Sequence, residues 1–196
     1  MSTVMQDCEK IARDDGLAAA LAAALSDVDS QTASPGRFAA VPASTVPSRA
    51  PVRTHSLAER EDIVFLECPG EGEAYDLVEI GTRLAGVRLG VVRRLLDQAV
   101  EHLEARIVGE EPLLRKQLIT GSVADAMAEV ELLRAYAETQ HAPDAVADLH
   151  DRLDALGWEV LKLFGAAGYM ADHPARALYV SALVANSWVD RNGAER

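Results

Sequence analysis

The sequence predicts an all-α protein, a four-helix up-and-down bundle preceded by a short N-terminal helix and a Pro-rich segment that carries a small β remnant. Three observations predict it. From Glu73 onward, apolar side chains recur every three or four positions in four successive segments. Gly109 with Pro112, Pro143 with Asp144, and the stretch from Gly165 to Pro174 separate those segments by short connections. Ahead of them, residues 30–56 are rich in Ser, Thr, Pro and Ala and show no helical period. Four amphipathic helices on short connections must lie against one another, because each stripe needs a partner to leave water.

The elements follow in order. Residues 5–27 read as one amphipathic helix with Ile11, Leu17, Leu21 and Leu25 near one face. Pro35, Pro42, Pro47 and Pro51 then forbid a helix and any long central strand. Arg37 to Val41 and Asp62 to Cys68 have the β-branched and aromatic content of two short strands, the second closed by Pro69-Gly70. The first bundle helix carries Leu77, Ile80, Leu84, Val87, Val91, Leu95, Ala99 and Leu103 on one stripe. A second, from about Leu113 to Glu138, turns Ile119, Val123, Met127, Val130 and Leu133 inward, and a third, opened by Pro143, does so with Val146, Leu149, Leu153, Leu156, Val160, Leu163 and Ala167. The last starts near Pro174 and runs to about Val189. The organisation expected is a helix in 1–29, a linker with β strands in 30–72 and the bundle in 73–192.

The formal charge of −12 excludes a nucleic-acid backbone or an anionic membrane surface as partner, since both would be repelled. The apolar run Leu17 to Leu25 follows Asp14 and Asp15 rather than a basic segment and is too short to span a bilayer. Cys8 and Cys68 lack metal-ligand spacing and fit a reducing compartment, so a cytoplasmic protein is expected. Lysine occurs only at Lys10, Lys116 and Lys162 while Arg and Ala abound, as GC-rich bacterial coding produces.

Taken alone, a bundle suggests a carboxylate-bridged metal pair, which needs Glu-x-x-His on two helices. Only Glu138 and His141 have that spacing, so no metal is expected. The histidines read as surface residues or satisfied core edges, and Trp158 and Trp188 as core or interface anchors. No nucleophile elbow, phosphate loop or paired-cysteine motif occurs.

Two stretches carry more: Gln117 to Arg134 (QLITGSVADAMAEVELLR) and Phe164 to Val184 (FGAAGYMADHPARALYVSALV). Gln117, Ala124-Asp125, Val130-Glu131 and Arg134, then Gly165, Gly168-Tyr169, Pro174 and Leu178, resemble the last helical domain of the acyl-CoA dehydrogenases, and Gly90 to Ala99 resembles that domain's long first helix. The resemblance covers about Glu73 to Asp190. It implies a flavoenzyme fold whose reaction couples α-proton abstraction by a glutamate to hydride transfer onto flavin. The usual base position falls on Val189, within Asn186-Ser-Trp-Val-Asp190, and valine cannot take a proton. Some family members place the base on the first bundle helix, and counting back from Gly90 reaches Ile80, beside Glu79, which is therefore the candidate catalytic residue. The flavin contacts implied are Arg106, Lys162, Gly165 and Gly168, where the family's aromatic residue is Val108, its glutamine is Lys162, and its arginine and aspartate are Val180 and Ser181.

The resemblance then implies FAD shared across a subunit interface, or no cofactor if the chain is non-catalytic. The leading expectation is a shortened acyl-CoA dehydrogenase-like protein, a largely non-catalytic helical subunit pairing with itself as a homo-oligomer or with a full-length flavin-dependent acyl-thioester dehydrogenase. One alternative is an active FAD-dependent oxidoreductase acting on an acyl-CoA or acyl-carrier thioester, with its site completed by a neighbouring subunit. Another is a helical interaction module in a biosynthetic complex.

Overall fold

A computed structural model describes residues 3–48, 50–68 and 76–189. The expected Pro69-Gly70 turn, the expected helix start at Glu73 and Asp190 lie outside these residues. Thr3 opens α1 (Val4–Asp14) with a capping box: its hydroxyl accepts the Gln6 N–H, and the Gln6 side chain accepts the Thr3 N–H. The single helix expected over 5–27 is instead two. Gly16 has φ of 98°, which a residue with a Cβ adopts only under strain, so α1 stops and α2 (Leu17–Ala24) begins anew.

The segment after it holds a single turn α3 (Ser30–Ala33), β1 (Phe38–Pro42), β2 (Val52–Arg53), a second turn α4 (Ser56–Glu59) and β3 (Ile63–Glu67). The two expected strands pair antiparallel, Phe38 opposite Glu67 and Pro42 opposite Ile63, and β2 extends a three-stranded sheet ordered β1-β3-β2. Pro42 is tolerated because β1 is an edge strand. Its outer side is closed by the end of the chain's last helix: Ala40 N–H donates to Ser187 Oγ at 3.0 Å, and Trp188 Nε1–H donates to the Ala40 carbonyl at 2.9 Å.

The bundle follows as expected: α5 (Leu77–Ala105), a two-stranded ribbon of β4 (Ile107–Val108) and β5 (Glu111–Pro112), then α6 (Gln117–Thr139), α7 (Pro143–Lys162) and α8 (Arg176–Trp188). Asp76 caps α5 by accepting the Val78 and Glu79 N–H groups. A 3-10 turn over Leu113–Arg115 delays α6 to Gln117. The expected third helix stops at Lys162 rather than continuing to Ala167, because Gly165 takes φ of 59° and a 3-10 turn, Gly165–Tyr169, follows.

The stripe read on the first bundle helix is the core: Ile80, Leu84, Val87, Val91, Leu95, Ala99 and Leu103 are buried, with Leu77 half-buried. Met127, expected inward, is instead 58% exposed, and Ala167 is exposed as well. The core also extends beyond the bundle. α1 lies so close on α5 that a Cβ at Gly86 would stand 2.3 Å from the Met5 carbonyl oxygen, and one at Gly90 2.2 Å from that of Glu9. Only glycine permits this approach. The Glu9 carboxylate is 6% exposed and takes hydrogen bonds from Arg134 and an ion pair from Arg93, tying α1 to α5 and α6. Cys8 and Cys68 are free thiols inside this packing, and burial pushes the Cys8 thiol up to about 11 against the nearby Arg83 charge.

Candidate functional site

An apolar concavity opens between α5, α7 and α8 and is roofed by the Gly165–Tyr169 turn. Its volume is about 410 Å³. Helical spacing assembles it: Arg88 and Val92 are one turn apart on α5, Leu153, Gly157 and Leu161 one turn apart on α7, and Leu178 with Ser181 approach from α8. Trp158, Tyr169, Met170 and Tyr179 stand at its mouth, each about half exposed, and His55 lies 5.9 Å from the Tyr179 ring centre to centre.

The floor is polar. Arg88 is 4% exposed and sits in an otherwise apolar stretch of α5, where a lone charge requires partners. It has them on α7: its guanidinium pairs with the Asp154 carboxylate and donates to the His150 carbonyl at 2.9 Å and to His150 Nδ1 at 3.0 Å. Because Nδ1 accepts, Nε2 carries the proton and donates to the Gly81 carbonyl at 3.0 Å. Ser181 turns its hydroxyl back to the Leu178 carbonyl at 2.8 Å.

The residues singled out from the sequence are scattered around this cleft. Gly168 lines it, and a Cβ there would stand 2.9 Å from the Leu161 carbonyl oxygen, so glycine lets the turn lie on the end of α7. Gly165 is exposed with open space around it. Lys162 ends α7 and pairs with Glu159 at 2.6 Å, and Arg106 is the exposed residue closing α5. Glu79 lies in the first turn of α5, more than half exposed, and pairs with Arg83, which also holds Asp27 at 2.5 Å. The Arg83 hydrogen bond keeps the Asp27 carboxyl below its ordinary range. Glu79 lines a separate hollow of about 270 Å³ with Thr82, Glu138 and His141. Val189 closes α8 and is buried, its methyl 3.6 Å from where a Cβ on Gly81 would stand. The structure thus brings none of the other candidates to the cleft that Gly168 lines.

Arg88, His150 and Asp154 were not singled out from the sequence, although the signal was present. An arginine inside the apolar stripe of one helix, matched by a histidine and an aspartate four apart on another, is the pattern of a buried polar cluster between helices.

Comparison with known proteins places this architecture. Residues 82–156, from early α5 into α7, match the family profile for the acyl-CoA dehydrogenase C-terminal domain. Among solved structures, butyryl-CoA dehydrogenase from Megasphaera elsdenii superposes with a TM-score of 0.58 at 17% identity, covering 82% of this chain and 47% of that one. An acyl-CoA dehydrogenase from Geobacillus kaustophilus does so with a TM-score of 0.55 at 14% identity, covering 76% and 48%. No curated protein matches the sequence. The chain therefore spans about half the length of these structures. No helix among the described residues is long and apolar enough to cross a membrane. Over residues 82–156 the sequence is similar to the acyl-CoA dehydrogenase C-terminal domain, and over most of its length the chain shares the fold of these structures.

Proposed function

We propose that the protein is a cytoplasmic, largely non-catalytic helical subunit that pairs through its bundle with a second copy or with a full-length flavin-dependent acyl-thioester dehydrogenase. The observation that carries this reading is the fate of the base position. Val189 is buried against α5, and the residues just before it, Ser187 and Trp188, are engaged in holding α8 to the β1 edge. Proton abstraction needs a basic group within hydrogen-bond reach of the substrate carbon acid. Glu79 is instead paired with Arg83 outside the cleft, and the one carboxylate lining the cleft among the described residues, Asp154, is held by Arg88.

Pairing is supported by α6. At 100° per residue, its side away from the buried Val123, Ala126, Val130 and Leu133 presents Gly121, Ala124, Ala128, Leu132 and Ala135, all exposed. A solvent face is ordinarily charged, and a face of small apolar residues lets another helix approach closely. Ala128→Glu puts a carboxylate in its middle. Sedimentation equilibrium is expected to show the native chain, or its complex with a full-length dehydrogenase, falling to monomeric mass in this variant. Thermal stability of the isolated chain should change by less than about 0.5 kcal/mol, because the site is exposed. A native chain that is monomeric and binds no such dehydrogenase would contradict the reading.

A further inference from the structure

We propose that the cleft between α5, α7 and α8 binds an uncharged, largely apolar small molecule. The volume of about 410 Å³ is that of small-molecule sites and is lined mainly by Val92, Leu153, Leu161, Leu178 and the aromatic mouth. The charge of the ligand follows from the lining. The cleft's two arginines are already neutralised, Arg88 by Asp154 and Arg176 by Glu61 at 2.8 Å, so an ionic ligand would lose its hydration without gaining a counter-ion. A neutral molecule meets no such penalty.

Gly157 supplies the second, independent observation. It lies in the interior of α7, where glycine costs about 1 kcal/mol relative to alanine. Its φ is not in the left-handed region, and a Cβ added there would meet only Leu178, at 3.7 Å, an ordinary contact. Neither backbone nor packing demands glycine here, in contrast to Gly86, Gly90 and Gly168. What the missing side chain does is leave the cleft floor wide. The inference does not rest on pairing through α6, which involves a different surface.

The test is binding of N-phenyl-1-naphthylamine, an uncharged apolar fluorophore, to the whole chain. Of the two tryptophans, Trp188 is fully buried and Trp158 stands at the cleft mouth, so Trp158 emission reports occupancy. Saturable binding at one site per chain is expected, with tryptophan quenching lost in Trp158→Phe. Dodecanol should displace the probe at concentrations about tenfold below those needed for dodecanoate or dodecyltrimethylammonium. Gly157→Leu, and independently Ala182→Leu from the opposite wall, should weaken binding about tenfold or more, while Gly157→Ala should melt higher than the native chain yet bind less tightly. Absence of saturable binding, displacement indifferent to headgroup charge, or binding untouched in whichever wall variant folds would overturn the proposal. So would binding that appears only when a self-associated chain is diluted to monomer, since the cleft would then be covered by a second copy.

Discussion

Gly90→Ala is expected to destabilise the protein by about 3 kcal/mol and to loosen α1 from the bundle. The methyl group would stand 2.2 Å from the Glu9 carbonyl oxygen and 2.6 Å from the Ala12 methyl, and a backbone atom cannot rotate away as a side chain can. The helices must separate, which also pulls the buried Glu9 carboxylate from Arg93 and Arg134 and leaves those arginines only Glu131. For a chain of this length about 3 kcal/mol corresponds to a melting temperature lower by roughly 6–12 °C. Proteolysis near Gly16, where α1 joins α2, should accelerate. Gly121→Ala is the control: it is the same chemical change inside α6, with nothing within 4 Å, and is expected to stabilise the monomer by about 0.5–1 kcal/mol. Equal effects of the two substitutions would show that α1 is not held by close backbone contact.

The cleft floor yields the second large effect, and it is asymmetric. Asp154→Ala leaves the Arg88 guanidinium, 4% exposed, without its carboxylate, whereas Arg88→Met leaves Asp154, 30% exposed, free to be hydrated through the cleft. Loss of one partner of a buried pair costs about 3–5 kcal/mol, and partial exposure of Asp154 places its removal near the lower end, about 3 kcal/mol. Arg88→Met should cost about half as much. The double variant should be no less stable than Asp154→Ala alone, because it contains no stranded charge. Urea unfolding of the four proteins measures this. Additive losses would mean that the pair is not coupled.

The bundle was legible because its signals are local and repeated: the α5 stripe, Pro143 at the start of α7, Gly109 in the ribbon turn between α5 and α6, and Gly165 just past α7 all act where they stand. The two main strands were legible for the same reason. What failed was of another kind. The break at Gly16 was hidden by apolar alanines and leucines on both sides, which fit a helix in either case. The docking of α1 depends on Gly86 and Gly90 one turn apart on a helix far along the chain, so periodicity within either segment could not show it. Met127 reads as core by spacing, but α6 is apolar around much of its circumference and the moment of its stripe is weak, so the stripe alone does not decide which edge faces α5. The cleft was hidden because it is a property of three helices together. Arg88, His150 and Asp154 gain their meaning only from crossing distances that no single segment contains.

The proposal of a non-catalytic subunit holds that Val189, buried against α5, cannot serve as a base. Its most direct measurement is the visible spectrum and thioester-dependent dye reduction of the full chain purified with excess FAD present. The expected result is no retained flavin absorbance after desalting and no turnover with acyl-CoA or acyl-carrier thioesters, with Glu79→Gln indistinguishable from the native chain. A yellow protein that oxidises such a thioester, and loses that activity in Glu79→Gln while keeping its flavin, would contradict it.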